Sequence, residues 1–208
     1  MKNALLFLFE SCLSKRYTEV ENGGSFAYER NGDALMIWFQ HSHGAVDWLN
    51  NVSFAAVPYK EMVPQWSCHA GFLKVWNSIK PHLVSVIADP RVRRVSVVGY
   101  SHGAALALFC HEYIGFHRPD LRDTLCSYAY GCPRVLYGCV SPSVAMRWKH
   151  FYRVVNAGDL VTHLPPASLG YCHVGQLVEV GEDGKYSAID AHRPESYLAE
   201  LEELPLDR

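Results

Sequence analysis

The chain has 208 residues, of which 49% are hydrophobic and 19% charged. That balance fits a compact globular protein and excludes a disordered one, and the length suits one α/β domain over residues 1–208. The net charge of −2 gives no electrostatic reason to expect nucleic acid or an anionic membrane as a partner.

The chain starts with a short apolar run, Ala4 to Phe9, closed by Glu10. No small-x-small cleavage site follows, so the run reads as a helix packed on the domain rather than a leader. It is far too short to span a bilayer, which leaves a peripheral or lid-like segment as the functional alternative. Residues Phe26 to Arg30 and Ala34 to Phe39 flank Asn31-Gly32, the signature of a tight hairpin turn. Residues 69 to 88 carry Phe72, Leu73, Trp76, Ile79 and Leu83 at helical spacing, and Pro81 predicts a kink or two pieces. Residues 94 to 98 form a β-branched strand, and 102 to about 116 an Ala-rich helix. Further strands are expected at Leu125–Tyr130, Phe151–Asn156 and Gly175–Val180, and helices at 141–149 and Pro194–Glu203. Strands alternating with helices predict a mostly parallel central sheet covered on both faces. In such sheets chemistry gathers at the carboxyl ends of the strands.

Seven cysteines are present, Cys12, Cys68, Cys110, Cys126, Cys132, Cys139 and Cys172, with no C-x-x-C pair. An odd count, with Cys110 and Cys126 in apolar patterns, reads as free thiols in a reducing compartment. Together with the missing leader this predicts a cytoplasmic protein.

The most informative stretch is Val95 to Leu108. It contains Gly99-Tyr100-Ser101-His102-Gly103, a Gly-x-Ser-x-Gly sequence between a strand and a helix, which is the sequence of a nucleophile elbow. Gly99 and Gly103 stand where the turn crowds its neighbours, and N–H groups at the helix start face a site suited to negative charge. A serine hydroxyl needs a base within hydrogen-bond reach, and the base needs an orienting carboxylate. Among the downstream acids Asp159 is best placed, directly after a strand in a Gly-Asp turn. Among the downstream histidines His192 lies in a loop before the last helix, free to swing over the serine. His173 comes next, while His163 and His173 fit packing roles, and His111 and His117 ride the elbow helix away from the site.

These segments together resemble the class 3 lipase family of α/β-hydrolases, from about Ala34 to Tyr197. Ile37 to Ser42 with Asp47-Trp48 is similar to the family's Phe-Arg-Gly-Thr segment and its continuation. His69-Ala70-Gly71-Phe72, Val98 to Ala105, Tyr130 to Val135, Arg153 to Pro166, His173-Val174-Gly175, and His192 with Tyr197 follow in the family's order. The resemblance implies an α/β-hydrolase fold with Ser101 as nucleophile, Asp159 as acid and His192 as base. It further implies an oxyanion hole from the backbone N–H groups of Ser42 and His102. The chain departs from the family at Gln40-His41, where Arg-Gly is usual, so an oxyanion loop of different shape is expected.

His41-x-His43 lacks further metal ligands nearby, so no metal and no cofactor is expected. His41, Trp66 and Tyr100 are candidate substrate contacts. Phe54 to Trp66 is apolar and proline-punctuated, suited to an acyl chain or a small lid, or simply to covering the sheet edge. The expected activity is hydrolysis of carboxylic esters of lipid type, with transient contact to a lipid interface. An amidase or acyltransferase would use the same side chains, and a non-catalytic hydrolase-like binding protein is the remaining class.

Overall fold

The structure is a computed structural model that describes residues 2–40, 54–61, 66–138 and 141–205. His41, Ser42 and the rest of 41–53, as well as Met62, Val63, Pro64 and Cys139, lie outside the described residues.

The elements run in the order α1 (Lys2–Ser14), β1 (Thr18–Glu19), β2 (Ser25–Asn31), β3 (Ala34–Phe39), β4 (Ala56–Tyr59) and β5 (Trp66–His69). Next come α2 (Ala70–Ala88), β6 (Arg94–Tyr100), α3 (His102–His117), β7 (Leu125–Tyr130), β8 (Leu136–Tyr137) and α4 (Pro142–Ala145). The chain ends with β9 (Phe151–Asn156), β10 (Tyr171–Cys172), β11 (Gln176–Val180) and α5 (Pro194–Glu203). The main sheet has seven strands in the order β1-β2-β3-β6-β7-β9-β11. The hairpin pairs at its start are antiparallel, and every pairing from β3 to β11 is parallel.

Side-chain alternation along the strands divides the core between two faces. Leu35, Ile37 and Phe39 of β3 and Val95 and Val97 of β6 face α2 and α3, where Phe72, Trp76, Ile79 and Leu83 complete the larger cluster. The residues of opposite parity, Trp38, Val98, Tyr100 and Tyr130, face α1 and α5 and pack with Leu5, Phe9, Tyr197 and Leu201. Helix α3 lies against the centre of the sheet and is buried from Gly103 through Glu112. Ala104, Ala105 and Ala107 keep that helix close to β6.

Three expectations change, the first being that the helix expected at 141–149 is a single turn, Pro142–Ala145, continued as a 3-10 turn, Met146–Trp148. Helix α2 is continuous through Pro81. Pro81 and Asn77, whose carbonyl loses its partner, are both exposed, so water can take the freed bond. The apolar stretch before α2 contains strands β4 and β5, which with β8 and β10 make a second, antiparallel four-stranded sheet. Strands of two to four residues are too short to show a period in sequence.

Among the described residues, two histidines besides His192 are buried. His69 is 2% exposed and its Nδ1 accepts from the N–H of Phe72, capping α2. His111 is 3% exposed, with Nδ1 accepting from the Ser127 hydroxyl and Nε2 donating to the Arg147 carbonyl. Burial holds both down to about 4 from an ordinary value of 6.5. The unfolded chain therefore takes up protons from about pH 6.5 downward while the folded one does not until about pH 4. Stability is complete above that window and falls within it as pH drops, by on the order of 2–3 kcal/mol for each histidine. Thermal melts at pH 7 and pH 4.5 should show this loss, and His111→Gln should lessen it by one histidine's share. An equal slope in that variant would contradict the assignment.

Candidate active site

Three strand ends build the site. β6 runs out at Tyr100, and Ser101 takes φ 58° and ψ −121°, a conformation costly for a residue with a side chain. The turn is held by Ser101 N–H donating to Tyr130 O at 2.8 Å and by Ala104 N–H donating to Ser101 O at 3.0 Å. It closes so tightly that a Cβ on Gly99 would stand 2.2 Å from the Gly103 carbonyl oxygen. A Cβ on Gly103 would stand 2.3 Å from the Phe39 carbonyl oxygen.

β9 ends at Asn156, and Gly158 at φ 80° turns the chain into a short 3-10 helix, Leu160–His163, capped by Asp159. Asp159 is fully buried, and its Oδ1 accepts from Val161 N–H at 2.9 Å. Its Oδ2 accepts from the Tyr197 hydroxyl at 2.6 Å and from His192 Nδ1 at 2.8 Å. Burial first, then the Asp159 charge, raise the Tyr197 hydroxyl well above its ordinary value, so it stays a donor.

His192 ends a 3-10 turn, Asp190–His192, between β11 and α5. Asn156 Nδ2 donates to the Ala191 carbonyl at 2.8 Å and ties this turn to β9. With its Nδ1 proton facing the carboxylate, the imidazole presents Nε2 to Ser101 Oγ at 2.8 Å. Gly131, at φ 57°, runs beneath this pair. A Cβ there would approach His192 Cε1 to 2.8 Å and Asp159 Oδ2 to 3.1 Å.

The structure thus brings Ser101, Asp159 and His192 into one chain of hydrogen bonds. The other histidines stand elsewhere. His173 Nε2 is bonded to the Thr162 carbonyl at 2.7 Å, and burial holds the ring down to about 3. His163 is exposed. The His102 ring packs against Phe72 at 5.5 Å, while its N–H opens α3 directly after Ser101.

Two substrate contacts expected from sequence are corrected. Trp66 is 7% exposed and stacks on Phe109 at 5.6 Å inside the larger core cluster, so it packs the core rather than a cleft. Tyr100 is 2% exposed and turned to the α1 side by strand alternation. Its ring stacks on His192 with centroids 5.3 Å apart, and its hydroxyl donates to the His192 carbonyl. His41 and Ser42 lie outside the described residues. Sequence reasoning gave no role to Asn156 or Gly131, although both sit in segments that carry the family resemblance. Among the described residues no cluster of metal-ligating side chains forms, and no helix is long and apolar enough to cross a membrane.

The sequence profile of the family Lipase (class 3) matches residues 36–169. A lipase of Rhizomucor miehei is 31% identical over 147 residues, covering 68% of this chain and 40% of the relative. A secreted mono- and diacylglycerol lipase A of Penicillium cyclopium is 25% identical over 162 residues, covering 76% of this chain and 51% of the relative. The chain therefore spans about half or less of the length of these relatives. The solved structure of native Rhizomucor miehei lipase in complex with its propeptide superposes with a TM-score of 0.73 at 21% identity, covering 96% of this chain and 78% of that one. The cytoplasmic placement expected above is overturned by the secreted relative. Thiol usage misled because Cys12, Cys68, Cys110 and Cys132 are buried, where a thiol serves as a small hydrophobe in any compartment. The parallel sheet, the elbow at the end of β6 and the profile match agree, and the chain belongs to the class 3 lipase family of α/β-hydrolases.

Proposed function

We propose that the chain hydrolyses carboxylic esters of lipid type, with Ser101 as nucleophile, His192 as general base and Asp159 as orienting acid. The observation that carries the reading is the pair of 2.8 Å hydrogen bonds from Ser101 Oγ to His192 and from His192 to Asp159. His192 Nε2 takes the proton as Ser101 Oγ attacks the acyl carbonyl, and Asp159 offsets the imidazolium charge that forms. The tetrahedral oxyanion is held by the N–H of His102 at the start of α3, and the family resemblance implies Ser42, outside the described residues, as the second donor. His192 then protonates the leaving alcohol, and water hydrolyses the acyl-enzyme by the same route in reverse. The names of the relatives, lipase and mono- and diacylglycerol lipase, favour esters over amides, and a lipid ester as substrate brings contact with a lipid interface.

The test is a series of p-nitrophenyl esters of graded acyl length beside the matching anilides. Esters should be turned over and anilides not, with activity lost in His192→Ala. Turnover of anilides at comparable rates, or ester turnover that survives in that variant, would sink the proposal. Gly131→Ala provides a finer check. The added Cβ pushes on His192 Cε1, and a displacement of a few tenths of an ångström to 1 Å should lower kcat by about 10- to 100-fold. An unchanged kcat in the folded variant would show that the ring is not held where the structure puts it.

A further inference from the structure

The base sits on a short support. His192 belongs to a three-residue 3-10 turn rather than to a strand or a long helix, so its orientation depends on what holds that turn. Tyr100 holds it from below. As the last residue of β6 it immediately precedes Ser101, and the alternation of the strand sends its side chain to the face opposite α3. There its ring lies under the imidazole at 5.3 Å and 27°, and its hydroxyl donates to the carbonyl of His192 itself. Burial, with the Asp159 charge adding to it, raises the Tyr100 hydroxyl far above its ordinary value, so the donor is permanent.

Tyr100 is in turn held by the N-terminal helix. Phe9 of α1 meets Tyr100 edge-on at 5.3 Å and 83°, and also touches Tyr130 at 4.6 Å and Tyr197 at 5.7 Å. The Tyr130 hydroxyl donates to the Leu5 carbonyl of α1 at 2.7 Å. One fully buried phenyl ring therefore touches both tyrosines that hold the acid and the base, since Tyr197 donates to Asp159.

We propose that Tyr100 is a positioning residue that fixes the His192 imidazole between Asp159 and Ser101, and that α1 sets its place through Phe9. The inference rests on the Ser-His-Asp reading given above. Stacking restrains the plane of the imidazole, and the hydroxyl restrains its backbone. Tyr100→Phe keeps the ring and removes the hydroxyl with its bond to the carbonyl. Tyr100→Leu removes both.

The experiment is steady-state kinetics on a p-nitrophenyl ester, with thermal melts and the rate of fluorophosphonate labelling, on the full chain. Tyr100→Phe should lower kcat by about 10-fold and Tyr100→Leu by about 100-fold, both with KM within about two-fold. Labelling should slow in the same order. Phe9→Ala should lower kcat by about 10-fold, and Phe9→Leu should recover most of it. A wild-type kcat in folded Tyr100→Phe and Tyr100→Leu would overturn the proposal. So would a raised KM with kcat unchanged, which would make Tyr100 a substrate contact. If Tyr100→Leu does not fold, Tyr100→Phe decides alone. Failure of the wild-type protein to label at Ser101 would instead defeat the reading of the site, and is seen before any variant is made.

Discussion

Ser101→Ala should lower kcat for ester hydrolysis by about 100,000- to a million-fold, with the melting temperature nearly unchanged. The alanine removes the only oxygen that accepts the acyl group, and a methyl fits the space left by the hydroxymethyl. What remains is the catalysis given by binding and oxyanion donors alone. The residue sits at φ 58°, so the alanine also keeps the strained elbow and loses no packing. Asp159→Asn should cost about 10,000-fold through a different route. The amide is nearly isosteric; its oxygen stays where Oδ1 accepts from Val161 N–H, which puts its NH2 group at the Oδ2 position, where the Tyr197 hydroxyl can no longer donate. Its NH2 group facing His192 Nδ1 would move the imidazole proton to Nε2, where it can no longer accept from Ser101. The pair of variants separates loss of the nucleophile from loss of the tautomer. Kinetics on one activated ester, with melts beside them, check both. A residual rate within about 100-fold of wild type for Ser101→Ala would contradict the nucleophile assignment.

The largest effect on stability is expected from Gly99→Ala. Its Cβ would overlap the Gly103 carbonyl carbon and oxygen at 2.5 and 2.2 Å. These are backbone atoms of the first turn of α3, and no side-chain rotation relieves the clash. Either β6 and α3 move apart, opening the core on both sides, or the elbow unwinds. A cost above about 4 kcal/mol follows for a backbone collision at the centre of the sheet, enough to unfold a domain of ordinary stability. Gly103→Ala strikes Phe39 O and Gln40 O at 2.3 and 2.7 Å and should come close behind. By contrast Gly184, at φ 84° with open space around it, should tolerate alanine with only a backbone cost. Denaturant melts of the three variants give the ranking, and equal stability of Gly99→Ala and Gly184→Ala would refute the packing account.

The centre of the parallel sheet was legible in the sequence because β3, β6 and β7 are rich in apolar residues and are separated by the long helices α2 and α3. Leu125–Tyr130, Phe151–Asn156 and Pro194–Glu203 appear with the bounds expected. Ser101, Asp159 and His192 could each be picked out because each follows a local signal, an elbow, a strand-ending Gly-Asp and a loop before a helix. Their meeting depends on the strand order, which places β6, β7 and β9 side by side. What escaped is tertiary. Tyr100 looked like a cleft residue by its closeness to Ser101, yet neighbours along a strand point to opposite faces. Asn156 acts through a bond to Ala191, 35 positions away, which no local pattern records. The short strands β4, β5, β8 and β10 exist because they pair with one another, and nothing in two to four residues announces a partner.

The most direct measurement is peptide mapping by mass spectrometry after treatment with a fluorophosphonate ester. One adduct on Ser101 is expected, forming rapidly in the wild-type chain and slowed by at least about 1,000-fold in folded His192→Ala. An adduct on another residue, or labelling of Ser101 at an unchanged rate once the imidazole is gone, would contradict it.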